Sequence, residues 1–277
     1  QHNLEPEIYS FRILEMLETA IKKNILPKNK PVKVHIKLDT GMHRLGFMPG
    51  DVEELIRRLH ANRMVYVQSV FSHLASSEDP AEDDFTRRQI DVFREMGKRI
   101  RAEAGHPVMM HILNSAGISR FPDAQFDMVR LGISLYGISA IPEEQPELEA
   151  VARLKSVISQ IRKVPAGETI GYNRAYKAEK DITMATIPVG YADGLSRILS
   201  NGRGHLLIGK TLCPVVGNIS MDMCTVDVSG LDVSEGDEVI VFGPERPLQE
   251  LASEMGTIPY EVLAGLSRRI KRIYYHE

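Results

Sequence analysis

Tryptophan is absent from this chain, and cysteine occurs only twice, at Cys213 and Cys224. So few thiols exclude a disulfide scaffold, and a reduced, cytoplasmic setting is the simplest reading. Neither cysteine has metal-ligand spacing; no metal site is expected, and both thiols are read as buried strand residues. Long apolar runs are also missing. None approaches the roughly 20 residues that a membrane-crossing helix requires, and the opening stretch QHNLEPEIYS has no features of a secretion signal. Charge of one sign is missing as well: 34 Lys and Arg against 37 Asp and Glu leave a net charge of −3. Nothing electrostatic therefore points to nucleic acid or to an anionic membrane. The basic run Arg268, Arg269, Lys271, Arg272 reads as the solvated end of a helix and strand. What is present is ordinary globular composition, 43% hydrophobic and 26% charged, in a length that suits one large domain or two medium ones.

Hydrophobic periodicity divides the chain. Residues 10–24 read as an amphipathic helix, with Phe11, Leu14, Leu17 and Ile21 on one stripe. A strand over 32–38 runs into Asp39-Thr40-Gly41. Asp51 is placed to cap a second helix whose inner face is Val52, Leu55 and Leu59. A strand over 65–71 ends at Ser72-His73. A long helix over 82–104 turns Phe85, Phe93, Met96 and Ile100 inward and stops at Gly105. A strand over 108–113 ends at Asn114-Ser115, and short strands are expected at 125–129 and 134–138. Repetition of strand, polar loop and helix implies a parallel sheet covered by helices. Polar residues collect after the strands: Asp39, Arg44, His73, Asn114, Ser115 and Arg130. A (β/α)8 barrel carries its chemistry there, and an open doubly wound sheet would place polar groups similarly.

Composition shifts at 139–150, where SAIPEEQPELEA combines two prolines with a run of glutamates; this is a boundary or linker signal. The chain thus divides into 1–140 and 141–277. Beyond the boundary the pattern is all-β, with strands at 154–164, 182–189, 205–208, 225–228 and 238–242 between Gly, Pro and Asp turns. Helices at 247–255 and 259–268 precede a last strand at 270–275. Within this half, Tyr172 follows Gly171 and Tyr191 follows Gly190. A phenol beside a tight glycine turn is either exposed and aimed or an ordinary loop tyrosine.

The segments DTGMHRLGF, FSHLASSED, HILNSAG, VRLGISLYG, IGYNRAY, IPVGYADG, VGNISMDM and IPYEV occur in that order over essentially the whole chain. Each alone is weak. Together they resemble the bacterial alanine racemases, pyridoxal-phosphate enzymes of fold type III. The resemblance implies an α/β plus all-β fold, a partial (β/α)8 TIM-type barrel followed by a β-rich C-terminal domain. It also exposes a departure. In that family a lysine in a segment like VKANAYGHG holds the cofactor covalently, and no such segment stands in this sequence. The expectation is an N-terminally truncated racemase lacking that lysine and inactive alone; a variant without the lysine is the other reading.

The resemblance implies roles for particular residues. Racemisation removes the α-proton of alanine from one face and returns it on the other, with pyridoxal phosphate as electron sink. Tyr172 would serve one face and the missing lysine the other. A phenol ordinarily ionises near pH 10, so a tyrosine base requires help, here a hydrogen-bonded series of Arg130, His73 and Tyr172. Arg130 would also face the pyridine nitrogen, which a guanidinium cannot protonate readily. Arg44 would bind the cofactor's phenolic oxygen or the substrate carboxylate. Lys37 matches a position that can be carbamylated; an unmodified Lys37 paired with a carboxylate is the alternative. Asn114 would touch the cofactor, while Ser115, Gly132, Ile133 and Tyr260 would hold its phosphate. Tyr191 and Met221 would line the substrate pocket, Met221 through its backbone N–H. The family implies a homodimer in which the β-rich domain of one subunit lends its tyrosine to the barrel of the other, a cytoplasmic location, and D-alanine supply to cell-wall peptidoglycan. Two rivals differ in class: a racemase of broader amino-acid specificity, and a non-catalytic cofactor-binding regulator.

Overall fold

The computed structural model describes residues 4–23, 25 and 30–275; residue 24, the expected end of the first helix, lies outside them. Two compact units form, one of 1–135 with 139–147 and one of 136–138 with 148–277.

In the first unit the elements are β1 (Glu7–Ile8), α1 (Phe11–Lys22), β2 (Val32–Lys37), α2 (Val52–Ala61), β3 (Val65–Phe71), α3 (Asp83–Glu103), β4 (Met109–His111) and α4 (Ser115–Arg120). The strands pair in parallel in the order β1-β2-β3-β4. Among the described residues this is a half-barrel, four parallel strands against the eight of a closed one. Helices cover one face of it. Val34, Ile36, Val67, Val70 and Met110 of the strands pack there with Leu14, Leu55, Phe93, Met96 and Ile100 of the helices. Alternation along a strand sends His35, Lys37, Phe71 and His111 to the other face. A β-bulge interrupts β3: Val34 pairs with Val67 but His35 with Ser69, leaving Gln68 unpaired. The bulge explains how Val67 and Val70 both reach the apolar core and turns Ser69 to the polar face.

Several expectations fail locally. Residues 125–129 form no strand, because Phe126 adopts a left-handed φ of 48° and the Asp127 carboxylate accepts the Met110 N–H at 2.8 Å. Residues 134–138 are not extended either; a 3-10 turn over Ile133–Tyr136 closes there. Asp51 does not cap α2; its carboxylate accepts the Met48 N–H at 2.8 Å instead.

The second unit contains β5 (Leu154–Val157), β6 (Gln160–Val164), β7 (Thr169–Ile170), β8 (Tyr176–Lys177), β9 (Ile182–Ile187), β10 (His205–Ile208), β11 (Thr211–Pro214), β12 (Cys224–Asp227), β13 (Glu238–Phe242), α5 (Leu248–Met255) and α6 (Pro259–Gly265). They form antiparallel sheets ordered β11-β10-β13-β5 and β12-β9-β6, with a small β7-β8 pair. The single strand expected at 154–164 is two, in different sheets, because Ile158 bonds to Asp237 O while Ser159 bonds to Thr186 O. Residues 270–275 are not a strand. Cys213 and Cys224 are buried free thiols on β11 and β12, and burial pushes them up to about 11 and about 12.

The turn after β2 is held by backbone. Asp39 N–H donates to Phe47 O and Phe47 N–H to Lys37 O, both at 2.9 Å. Gly46 has φ +131°, and a Cβ there would lie 2.5 Å from Asp39 N and Leu38 C. No side chain can move to relieve that. Gly46→Ala is therefore expected to destabilise the protein by about 2 kcal/mol or more, read as a lowered urea midpoint. An unchanged midpoint would mean that this turn does not hold the loop.

Candidate active site

Arg130 is the centre of the first unit's polar face. It follows β4, where its N–H donates to Leu113 O at 3.1 Å, and its side chain folds back over the strand ends. Nη1 donates to Nδ1 and to the carbonyl of His111. Nη2 faces Ser72 O at 2.6 Å, Ile112 O at 3.1 Å and His73 Nδ1 at 3.2 Å. Among the described residues its Nε–H alone has no acceptor, so one edge of the guanidinium is fastened and one N–H is left to face a ligand. Burial and the nearby Arg130 charge hold both His73 and His111 down to about 4. Both are neutral at neutral pH. Because arginine has only donors, each histidine presents Nδ1 as an acceptor and carries its proton on Nε2.

Beside Arg130, Lys37 is 8% exposed, with Nζ 4.6 Å from the centroid of the Phe71 ring. Burial depresses its pKa; Glu7 opposes that, while Arg130 and Arg44 add to it. No carboxylate among the described residues reaches it as an ion pair, so the expected alternative of a Lys37–carboxylate pair is not formed. Arg44 is exposed on the loop after β2. Burial pushes the Asp39 carboxyl up, but the N–H groups of Gly41 and His43, each 3.0 Å from Oδ1, and the His43 side chain outweigh this and hold it low. Asp39 thereby shapes the loop that carries Arg44.

The expected phosphate group is partly assembled. Ser115 Oγ accepts the Gly132 N–H at 2.9 Å, and Ile133 opens the adjoining turn. Asn114 has another job: its Oδ1 accepts from Gly117 N–H at 3.0 Å and Ser77 Oγ at 2.7 Å, capping α4. Tyr260 belongs to the second unit, at the start of α6.

In the second unit Tyr172 is 71% exposed. It projects from a turn with left-handed φ at Gly171, Asn173 and Arg174, and Asn218 Nδ2 donates to its carbonyl at 3.0 Å. Gly171, Tyr172, Asn218, Ser220, Met223 and Thr225 help line an open depression of 470 Å³. Tyr191 and Met221 sit on two loops locked together: Tyr191 N–H donates to Ser220 O and Ala192 N–H to Met221 O. Gly190 has no room for a Cβ, which would meet both Ser220 O and Met221 O at 2.4 Å. Arg269 fastens the same loops through Asp193 and Asp222, each at 2.7 Å. The basic run is thus not merely solvated. The Met221 N–H has no acceptor among the described residues.

Sequence reasoning missed His111, Gln89 and Arg269. His111 sits inside HILNSAG, and a histidine closing a strand was the available signal. Gln89, buried on α3, reaches Thr40 Oγ1, His73 O and Ala75 N–H and so ties the loops after β2 and β3; nothing in its helical position advertises this. Among the described residues no group of three potential metal ligands occurs, and no helix is long and apolar enough to cross a membrane.

Comparisons with known proteins identify the family. The family described as "Alanine racemase, N-terminal domain" matches residues 1–140, and "Alanine racemase, C-terminal domain" matches 151–274. The alanine racemase of Treponema denticola is 35% identical over 100% of this chain and 75% of its own length; that of Clostridium tetani is 37% identical over 100% and 73%. The solved alanine racemase of Streptomyces coelicolor superposes with a TM-score of 0.90 at 31% identity, covering 99% of this chain and 73% of that one. The Bartonella henselae enzyme, solved with covalently bound pyridoxal phosphate, gives 0.85 at 34%, covering 99% and 74%.

The neutral histidines give a pH dependence. Their folded pKa lies below the unfolded value of 6.5, so the unfolded chain takes up protons first on acidification. Stability is whole above pH 6.5 and is lost as pH falls toward about 4. Urea unfolding across that window should show His111→Gln removing about one proton from the slope of stability against pH. An unchanged slope would mean that His111 is already charged in the folded protein.

Proposed function

This chain belongs to the alanine racemase family, and on that premise we propose that it moves the α-proton of alanine with Tyr172 as the base on one face. The activity is isomerisation of alanine with pyridoxal phosphate as cofactor. When bound, that cofactor supplies the sink for the electrons left at Cα after deprotonation. The observation that carries the reading is Arg130: a fastened guanidinium with one free N–H is what a ring nitrogen to be bound but not protonated requires. Ser115 and the Gly132–Ile133 turn would receive the phosphate, with Tyr260. Asn114 would hold α4 through its Oδ1, leaving its Nδ2 for the cofactor contact.

The chain's own groups account for the base. His73 accepts from Arg130 on Nδ1 and so holds a proton on Nε2. Donated to the Tyr172 oxygen, that hydrogen bond would stabilise the phenolate and make the tyrosine a usable base near neutral pH. Arg44 would pair with the substrate carboxylate, and Tyr191 with the Met221 N–H would bound the pocket around the methyl group. Lys37, buried and with its amine shifted toward the neutral form, suits addition of carbon dioxide, which requires a neutral amine; the carbamate would give Arg44 an anionic partner. Tyr172 and the Arg130 group belong to different units. As the family resemblance implies, we assign their meeting to a homodimer in which each β-rich unit completes the partner's barrel site. We assign the opposite face of the substrate to the family's cofactor-bearing lysine. The setting we propose is cytoplasmic, and the product D-alanine serves peptidoglycan.

Tyr172→Phe keeps the ring and removes only the proton carrier. In protein that carries the family's lysine and is loaded with pyridoxal phosphate, racemisation should fall by about two to four orders of magnitude, while solvent hydrogen exchange at Cα should suffer more from L-alanine than from D-alanine. Equal loss from both enantiomers would make Tyr172 a substrate-positioning group. An unchanged rate would remove it from the reaction.

A further inference from the structure

The hydrogen bonds that fasten Arg130 do not stop at His111. His111 Nε2 lies 3.3 Å from Ser69 Oγ, Ser69 Oγ lies 2.6 Å from His35 Nδ1, and His35 Nε2 lies 3.0 Å from Glu5 Oε2. These groups cross β4, β3 and β2 and end on the segment leading into β1. Ser69 is 0% exposed, so water does not complete its bonding, and it reaches this face only because of the bulge at Gln68. Bulges that re-aim a side chain are features of a site more often than defects.

The direction of every bond follows from one end. Arg130 can only donate, so His111 accepts on Nδ1 and donates from Nε2 to Ser69 Oγ. Ser69 then has its own hydrogen to give, and among the described residues the one acceptor facing it is His35 Nδ1. His35 therefore carries its proton on Nε2 and donates to Glu5, a carboxylate that only accepts. A doubly protonated His35 would leave Ser69 receiving two hydrogens with its own hydroxyl unplaced in a dry interior. The series runs one way, from a pure donor to a pure acceptor, and bonds aligned in this manner polarise one another.

We propose that Glu5, His35 and Ser69 are positioning residues for Arg130, acting through His111 to hold the guanidinium so that Nε–H, and no other edge, faces the ligand. Lys33, whose Nζ is 3.7 Å from Glu5, lies at the solvent end and does not interrupt the series. The proposal rests on the reading of Arg130 given above, so its test begins without cofactor.

In the unloaded full-length protein, 15N NMR of the ring nitrogens should show His111 and His35 both protonated on Nε2 at neutral pH. The Arg130 Nη signals should be resolved, as in a guanidinium that does not rotate. Ser69→Ala should merge the Nη signals. In the loaded protein it should lower kcat about tenfold, the usual scale for a group supporting a first contact, with KM for alanine unchanged. Glu5→Gln, which keeps an acceptor oxygen and is far less disruptive, should retain both tautomers, whereas Glu5→Ala should release that of His35. A proton on Nδ1 of either histidine, or a Ser69→Ala protein that urea unfolds more readily yet that keeps resolved Nη signals and an unchanged kcat, would overturn the proposal and make the series purely structural. Correct tautomers with resolved Nη signals that merge in Ser69→Ala, in a protein that does not racemise alanine, would uphold the positioning series and sink the assigned activity instead.

Discussion

A guanidinium donates five hydrogens and accepts none, and the polar half of the first unit is arranged around that constraint. Arg130 meets three carbonyls at two neighbouring strand ends and the Nδ1 of two histidines. Each acceptor it claims settles the state of the group behind it. His73 is left with a hydrogen to offer on one side and His111 on the other. The same charge, with burial, keeps both imidazoles neutral and adds to the depression of Lys37. Burial, with this one charge added, sets the protonation of the neighbours, and their protonation decides what they can do for a phenol or a cofactor.

The rest of the fold serves this placement. The apolar face of the half-barrel packs on its helices through side chains that alternate with the polar ones, so the hydrophobic effect that stabilises the sheet also presents the polar face. Gln89 and the Asp39 turn hold the loops beyond β2 and β3. In the second unit the exposed phenol of Tyr172 rises from a turn of left-handed residues, while Gly190, Asp193 and Arg269 fix the Tyr191 and Met221 loops. Under the proposed function, dividing a base from its activating network between two units would make activity depend on assembly. A lone phenol in water stays protonated near neutral pH.

Much of this was legible in the sequence. Strict periodicity marked α3 and the parallel strands, and the polar residues following β2, β3 and β4 pointed to the loops that carry Arg44, His73 and Ser115. Eight short segments in order carried the family. What failed had local physical causes. Residues 125–129 look extended by composition, yet Phe126 in the left-handed region and the Asp127 carboxylate on Met110 break the strand. The resemblance assigns Asn114 to the cofactor, and only the Gly117 and Ser77 donors tell which bonds its Oδ1 makes. His35 and Ser69 were invisible as partners because a one-residue bulge inverts the face on which Ser69 lies, and no pattern of period two foresees that.

The central claim is that Arg130 binds the cofactor's ring nitrogen as a donor and leaves it without a proton. The 15N chemical shift of the ring nitrogen in protein loaded with 15N-labelled pyridoxal phosphate reads this directly. The account predicts an unprotonated, hydrogen-bonded nitrogen throughout the neutral pH range, converting to a protonated one in Arg130→Glu. A pyridinium shift in the unmodified protein would contradict it.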